Sequence, residues 1–337
     1  MRMKFISLRK LWLCLIFFFL IFSTIFSPAA SAASTAYRNE LRAEHGKLRY
    51  YNSKGKLLKN KWKTIRGQRY YFKKNGAAAT GLTKIGSKYY YFSQTGILQK
   101  NSLKPLKKQL TRSIRKYRGS WSVYVKNLDT GESFSINNHS MYAASLIKLY
   151  AAAAAYSKIS QRQLSEASVQ NALSAMITVS DNYSFNSFVT RIGKSAVNSW
   201  CKANGYFHTN QGHGLPRTEV FPALLNGTGA NMTSVVDCGR FLESLYHGTC
   251  VSPVASAKIL NLLKQQTRRS KIPAGIPSGV PVANKTGETD DYCHDAAIVY
   301  SKDATYILVV MGRIPGDAWS AAPRVRSISS MVYHFFN

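Results

Sequence analysis

The sequence predicts an α/β fold: an antiparallel five-stranded sheet flanked by helices and joined to a helical subdomain, preceded by a small β-hairpin repeat module. Two observations predict it. Beyond residue 120, strand patterns come first and return near the end, with helical patterns between and after them, which indicates a sheet covered by helices. Between residues 46 and 104 an aromatic motif recurs about every twenty residues, as in stacked small units.

The first 32 residues have the three parts of a secretory signal peptide. Four basic residues precede the apolar run LWLCLIFFFLIFSTIF, and small residues ending in ASA follow it. We expect cleavage after Ala32 and a secreted mature protein. An uncleaved membrane anchor is the alternative, because the run is near the length that spans a bilayer. No later run is apolar enough to do so, and no membrane contact is expected after cleavage.

Residues 46–104 form three imperfect repeats, GKLRYYNSKGKLLKNKW, GQRYYFKKNGAAATGL and GSKYYYFSQTGILQKNSL. In each, an aromatic run is followed by a polar turn and a shorter apolar run, which predicts a hairpin of these two segments. Three stacked hairpins share a core that one hairpin lacks. The segment has fifteen Lys or Arg residues and no Asp or Glu, which favours binding of an anionic polymer over a merely solvated basic face.

The glycine four residues after each aromatic run makes these repeats resemble the cell-wall-binding repeats of Gram-positive surface proteins, the choline-binding type. The resemblance implies a wall-binding surface of aromatic rings. Its members here are Trp62, Tyr50, Tyr51, Tyr70, Tyr71, Tyr90 and Tyr91. In that family paired tryptophans cage a quaternary ammonium group by cation–π attraction, whereas these repeats keep only Trp62. An anionic cell-wall polymer is therefore expected instead of choline.

The remaining elements follow in order. Residues 105–119 are basic and form either a linker or the first helix of the domain at 120–337. WSVYVKNL and ESFSI are strands around the turn DTG, and a helical section then reaches about residue 204. Helices resume at TSVVDCGRFLESLY, with Thr233 as the expected cap, and at VASAKILNLLKQQ. Strands return at PVANKTG, HDAAIVYS and ATYILVVMG, before a final helix at SAAPRVRSISSMVYHFF.

Three short motifs lie in this domain: SLIK from Ser145 to Lys148, SDN at 180–182 and KTG at 285–287. One helical turn separates Ser145 from Lys148, so their side chains share a face about 5 to 6 Å apart. A serine hydroxyl becomes a nucleophile when a neighbour takes its proton. Lysine can take it when burial and a second cation, here Lys285, lower its pKa. The motifs predict acyl transfer through Ser145.

The three motifs in this order resemble the signature of penicillin-recognising serine enzymes, the class A β-lactamases and penicillin-binding proteins. The resemblance covers about residues 115 to 337 and implies a β-lactamase/DD-peptidase-like fold without a cofactor. It implies that Ser180 relays a proton to the leaving nitrogen and that Asn182 holds the substrate and Lys148. Lys285 and Thr286 would bind the substrate's carboxylate. Gly287 would let the strand approach the acyl group closely.

The sequence departs from the class A pattern at the residue that hydrolyses the acyl-enzyme. Class A enzymes activate a water with the glutamate of E-x-x-L-N. Here the sequence has Leu225 and Asn226, but Pro222 stands where that glutamate belongs. Glu219, in the nearby RTE, is either the deacylating base in a rearranged loop or a surface acid.

The leading hypothesis is a secreted, wall-associated β-lactamase-like serine hydrolase that opens β-lactam amides through an acyl-enzyme. The first alternative is a D-Ala-D-Ala carboxypeptidase or transpeptidase acting on peptidoglycan stem peptides, which shares every residue used for acylation. Only 35 residues separate Ser145 from Ser180, which implies a shortened loop and a cleft open to such a bulky substrate. A non-enzymatic wall-binding protein is the second alternative.

Composition limits the partners further. The formal net charge is +31, which favours polyanions, but no helix-turn-helix, zinc-finger or RNA-binding signature indicates nucleic acid. No C-x-x-C occurs and the histidine spacings give no ligand set, so no metal site is expected. A monomer is expected.

Four cysteines follow the leader: Cys201, Cys238, Cys250 and Cys293. Four cysteines allow three full disulfide pairings, and all three stay open.

Overall fold

The computed structural model describes residues 37–86, 88–93, 95–98, 102–216, 221 and 229–337. The predicted signal peptide, residues 1–32, and Glu219 lie outside these ranges. The chain divides into two compact units, one ending at Ala79 and the other beginning at Thr80. Within the described ranges, no helix combines the length and apolar character that a membrane span requires.

Two antiparallel hairpins make up the first unit. Its strands are β1 (Glu40–Glu44), β2 (Lys47–Tyr51), β3 (Lys61–Ile65) and β4 (Gln68–Phe72). Strand β1 pairs with β2, and β3 pairs with β4. Tyr50, Tyr70 and Phe72 are buried, and the Phe72 ring lies against both tyrosine rings. The aromatic runs therefore supply the core of this unit.

The hairpins are confirmed, but the predicted strand partners are wrong. Each aromatic strand pairs with the strand before it, whereas the apolar segment after it makes only an isolated bridge, such as Phe72 to Ala78. The connecting turn in the second hairpin consists of Arg66 and Gly67, both with left-handed backbone (φ 49° and 76°). Two such residues make the turn that matches strand twist, so the tight connection forms here and not after the aromatic run.

The second unit starts with a third hairpin and continues as an α/β domain. Its strands are β5 (Gly81–Ile85), β6 (Lys88–Phe92), β7 (Ser120–Asn127), β8 (Ser133–Ile136), β9 (Met141–Tyr142), β10 (Met232–Thr233), β11 (Val282–Glu288), β12 (Tyr292–Tyr300) and β13 (Thr305–Arg313). Its described helices are α1 (Lys104–Ile114), α2 (Ile147–Ser160), α3 (Gln170–Thr178), α4 (Asn182–Ile192), α5 (Lys194–Ala203), α6 (Val235–Tyr246), α7 (Pro253–Lys264) and α8 (Ala322–Phe336).

The central sheet is antiparallel throughout, with strand order β11-β12-β13-β7-β8. Side chains alternate between its faces: Val309 belongs to the core beneath α2 and α6, and Val310 to the core beneath α1 and α8. Helices thus cover both faces, which confirms the predicted fold class. Strand β11, which carries KTG, lies at one edge of the sheet.

Helix α2 is the central helix of the domain. All ten residues from Ile147 to Tyr156 are buried, and the helix contacts α3, α4, α5 and α7. A helix that is apolar on every side is stable only when other elements surround it. The run of five alanines lets those neighbours approach closely. Lys148 is thereby buried inside the domain although it carries an amine.

The structure alters three smaller expectations. The basic bridge after the repeats is helix α1, whose Leu106 and Leu110 are buried. Helix α6 begins with Ser234, whose hydroxyl accepts the Asp237 N–H (3.1 Å); the predicted cap, Thr233, is wrong because it pairs in β10. All four cysteines that follow the leader are buried free thiols, so none of the possible disulfide pairings is present.

Candidate active site

The three motifs meet where α2, the α3–α4 junction and strand β11 come together. Ser145 lies in a 3-10 turn, Ala144–Leu146, that leads directly into α2. The backbone is left-handed at Ala144 (φ 45°) and at Ser180 (φ 64°), a conformation that disfavours side chains and clusters at functional sites. Asp181 caps α4 by accepting the Ser184 N–H (2.7 Å), which fixes the SDN segment.

Lys148 Nζ has the contacts that a base for Ser145 needs. It lies 3.1 Å from Ser145 Oγ, and its shortest contacts are to the Ser180 carbonyl oxygen (2.6 Å) and Asn182 Oδ1 (2.8 Å). A neutral amine has two hydrogens and one lone pair. Donation to those two acceptors uses both hydrogens. The lone pair is then directed toward the Ser145 hydroxyl.

Ser180 Oγ lies between two lysine amines. Lys285 Nζ donates to it at 2.8 Å and also to the Thr286 carbonyl oxygen at 2.9 Å. Lys148 Nζ is 3.3 Å from the same hydroxyl. A hydroxyl both donates and accepts, so Ser180 can pass a proton away from Lys148. The chain of atoms runs from Ser145 Oγ through Lys148 Nζ to Ser180 Oγ.

Burial lowers the pKa of both lysines, because it disfavours the charged form. The pKa of Lys148 is lowered to about 7, with the nearby Asp181 acting to raise it and Arg268 acting to lower it. The pKa of Lys285 is well below its usual value, through burial first and then through the charges of Lys148, Arg268 and Lys271. Near neutral pH, a substantial fraction of Lys148 is therefore the neutral amine.

Gly287 and His294 hold strand β11 against the segment that precedes the nucleophile. A Cβ added at Gly287 would lie 3.0 Å from the Ala143 carbonyl oxygen, so a side chain here would force this segment to shift by a few tenths of an ångström. His294 pairs with Gly287 in the sheet, donates through Nε2 to the Tyr142 carbonyl oxygen (2.9 Å) and accepts the Gly312 N–H at Nδ1 (3.3 Å). Burial lowers the pKa of His294 to about 4, which keeps this tautomer neutral.

A charged cluster that the motifs do not include lies beside β11. Arg268 Nη1 is 2.8 Å and Lys271 Nζ 2.5 Å from the Glu288 carboxylate. Burial acts to raise the pKa of Glu288, but the two cations outweigh it and lower that pKa. Behind the strand, Asp295 is buried and accepts hydrogen bonds from Asn284 and from the Ile272 N–H. Sequence reasoning missed Arg268 and His294, since neither belongs to a motif.

The other predicted residues are distributed as follows. Thr286 is buried in β11 opposite Asp295. In the repeats, Tyr50 and Tyr70 are buried, Tyr51, Tyr71 and Tyr90 are half-buried, and Tyr91 lies in β6. Trp62 is half-buried, with its ring 5.2 Å from that of Tyr71. No cluster of metal-ligating side chains occurs in the part of the chain that the structure describes.

An apolar rim flanks the SDN motif. Val179 precedes the motif and Tyr183 follows it, and both are about half exposed (45% and 52%). The Tyr183 ring lies 5.0 Å from that of Phe221. Exposed apolar side chains beside a polar cluster are typical of ligand sites.

Comparison with known proteins gives two family matches. The family described as "Beta-lactamase enzyme family" matches residues 105–167 and 160–336. The family described as "Choline-binding repeat" matches residues 60–92. No curated protein matches the sequence.

Solved structures share the fold of the second unit. PBP-A is 22% identical with a TM-score of 0.63, covering 70% of this chain and 97% of its own. A β-lactamase from Sphaerobacter thermophilus is 16% identical with a TM-score of 0.60, covering 68% and 96%. The ancestral class A β-lactamase GNCA is 19% identical with a TM-score of 0.60, covering 68% and 100%.

Proposed function

The chain belongs to the beta-lactamase enzyme family, and from that premise we propose that it is a secreted, wall-associated serine hydrolase that opens β-lactam amides through an acyl-enzyme on Ser145. One observation carries the proposal. Lys148 Nζ lies 3.1 Å from Ser145 Oγ, while its two shortest contacts are to acceptors on Ser180 and Asn182. A buried amine held in this way is a general base for the hydroxyl.

Acylation then proceeds in steps that conserve protons. Ser145 Oγ attacks the amide carbonyl carbon and its proton moves to Lys148 Nζ, which becomes an ammonium. The first backbone N–H groups of a helix lack acceptors within it, so the Ser145 N–H is proposed to stabilise the negative charge on the carbonyl oxygen. When the C–N bond breaks, Ser180 gives its proton to the leaving nitrogen and takes one from Lys148. The base is neutral again, and the acyl group remains on Ser145.

Substrate placement is assigned to strand β11. The substrate's carboxylate is proposed to lie beside Lys285 and Thr286, where the Lys285 amine can donate a hydrogen bond and the nearby Arg268 cation favours a negative group. Gly287 keeps the strand free of a side chain where the acyl group must pass. The apolar rim at Val179 and Tyr183 suits an apolar acyl substituent.

Hydrolysis of the acyl-enzyme needs a second base, and Glu219 is the proposed residue. Its carboxylate would activate the water that attacks the ester. Because Pro222 replaces the glutamate of E-x-x-L-N, slow deacylation is expected. A D-Ala-D-Ala carboxypeptidase or transpeptidase is the second candidate, and this departure favours it. A mutant of PBP-A has been solved as an acyl-enzyme complex with penicillin G, so that protein carries the acyl group on the same fold.

One experiment separates the candidates. The protein, with Ser145→Ala and Glu219→Gln variants, is treated with a fluorescent penicillin and a chromogenic cephalosporin. Turnover that is lost in Glu219→Gln is expected for a β-lactamase with Glu219 as its base. A stable label on Ser145 without turnover supports the peptidase. No label on Ser145 leaves only a non-enzymatic wall-binding protein.

Wall attachment is proposed for the repeats at 46–104, which would hold the hydrolase at 120–337 on the cell surface after removal of residues 1–32. The match to choline-binding repeats supports a surface role. Sedimentation with purified cell walls tests it, since deletion of 46–104 should release the protein into the supernatant while Ser145 still takes the penicillin label.

A further inference from the structure

Three aromatic rings in the first unit have a cation of the same chain over their face. Arg42 Cζ is 3.7 Å from the centre of the Tyr37 ring, Lys63 Nζ is 5.3 Å from that of Tyr50, and Arg69 Cζ is 4.5 Å from that of Trp62. Each distance is within the range of a cation–π contact, up to about 6 Å. The chain therefore supplies the cations for its own aromatic surfaces.

This arrangement matters most at Trp62, the only tryptophan of the repeats. Trp62 and Tyr71 lie opposite each other on β3 and β4, and Arg69, on the same face, covers the indole. A quaternary ammonium group that used Trp62 would have to displace a guanidinium that is already stacked there. The ring on which a choline site would depend is thus occupied.

Within the described part of the chain, two of these three cations lack a counter-charge, whereas Arg42 lies 3.9 Å from the Glu40 carboxylate. Arg69 and Lys63 are exposed, and no carboxylate among the described residues lies within ion-pair distance of either. The nearest acidic strand, β1, already uses Glu44 on Arg49 (3.6 Å) and on the Tyr51 hydroxyl (3.0 Å). Between residues 46 and 79 the chain has exposed lysines and Arg66 but no acidic residue.

We infer that the hairpin face formed by Trp62, Arg69 and Tyr71 binds a wall polymer of phosphodiester groups and does not bind choline. Stacking on the indole restricts the Arg69 side chain. Less conformational entropy is therefore lost when its planar guanidinium donates to two phosphate oxygens. A phosphodiester stays ionised at any growth pH, and its successive charges suit a hairpin that exposes several further cations. This inference rests on the wall attachment proposed above and names its ligand.

The test uses the full chain with Ser145→Ala, which prevents cleavage of wall peptides. Binding is measured on immobilised poly(glycerol phosphate), with polyglutamate of equal charge and phosphorylcholine as alternative surfaces. We expect retention on poly(glycerol phosphate) alone, elution by about 0.5 M NaCl because salt screens exposed charges, and no elution by free choline. Arg69→Gln should weaken binding about tenfold, the size of one charge-assisted contact.

Two controls keep the result interpretable. Arg313→Gln removes an exposed arginine of the second unit and should leave binding unchanged, and thermal unfolding shows whether Arg69→Gln still folds. Arg69→Lys keeps the charge but loses the paired donors of the planar guanidinium. Binding weaker than that of the unchanged chain but still measurable therefore supports the inference even if Arg69→Gln is unstable. Elution by choline, or equal binding to polyglutamate, would overturn it while wall attachment stands. Failure to sediment with whole walls would instead refute the attachment itself.

Discussion

The pH dependence of Ser145 acylation tests the role of Lys148 most directly. The pKa of Lys148 is about 7, and only the neutral amine can accept the serine proton. The neutral fraction is about 9% at pH 6 and about 91% at pH 8. The second-order rate of acylation should therefore rise about tenfold across this interval and level off above it.

Stopped-flow measurement of fluorescent penicillin binding gives this rate without depending on deacylation. A second arm uses Arg268→Gln. The Arg268 charge lowers the pKa of Lys148, so its removal should move the midpoint of the profile to higher pH. The same charge lowers the pKa of Lys285, and both lysines shift in the same direction.

A rate that is flat between pH 6 and 8, or that falls as pH rises, would refute Lys148 as the base. A midpoint near pH 6 that does not move in Arg268→Gln would point instead to Asp295. Burial raises the pKa of Asp295 to about 6, and Arg268 is not among the groups that shift it. The two outcomes are distinguishable because the buried carboxyl and the buried amine respond to different neighbours.

Three further predictions concern the surroundings of the site. Gly287→Ala places a methyl group 3.0 Å from the Ala143 carbonyl oxygen and should slow penicillin labelling about tenfold; an unchanged rate would show that β11 can move aside. His294→Ala leaves the Tyr142 carbonyl oxygen and the Gly312 N–H without their partner and should lower the free energy of unfolding by about 2–4 kcal/mol. His294→Gln, with a donor of similar reach, should recover part of that unfolding free energy, and equal loss in both variants would count against the hydrogen bond. The four buried cysteines, whose thiol pKa values burial raises, should react with an aromatic disulfide reagent only after denaturation, in contrast to rapid reaction of any accessible thiol.

The sequence predicted best what depends on spacing along one element. Ser145 and Lys148 are one helical turn apart, and the alanine run after them dictates a helix buried on all sides. The short apolar runs near the end of the chain predicted the last strands of the sheet for the same local reason. The fold class follows from such patterns because each element must bury its apolar side against another.

Contacts between distant segments were beyond sequence reasoning. Arg268 contacts Glu288 because the loop after α7 folds beside β11. The local sequence around Arg268 does not indicate that Glu288 is its partner. His294 acquires one partner from β9, 152 residues away, and the other from the neighbouring strand β13. The hairpin partners were mistaken because Arg66-Gly67 is a less familiar signal for a two-residue turn than Asn-Gly.

Because α2 is buried on every side, we expect Ser145 to lose its reactivity only when the whole domain unfolds. Local opening exposes segments that have few buried contacts, whereas amides at the centre of a domain exchange with solvent only when the whole domain unfolds. Amide hydrogens from Leu149 to Ala155 should accordingly be among the last to exchange, since their side chains are fully or almost fully covered. Heat or denaturant would then abolish acylation in the same transition that melts the sheet, and the lifetime of the reactive serine would equal that of the folded domain.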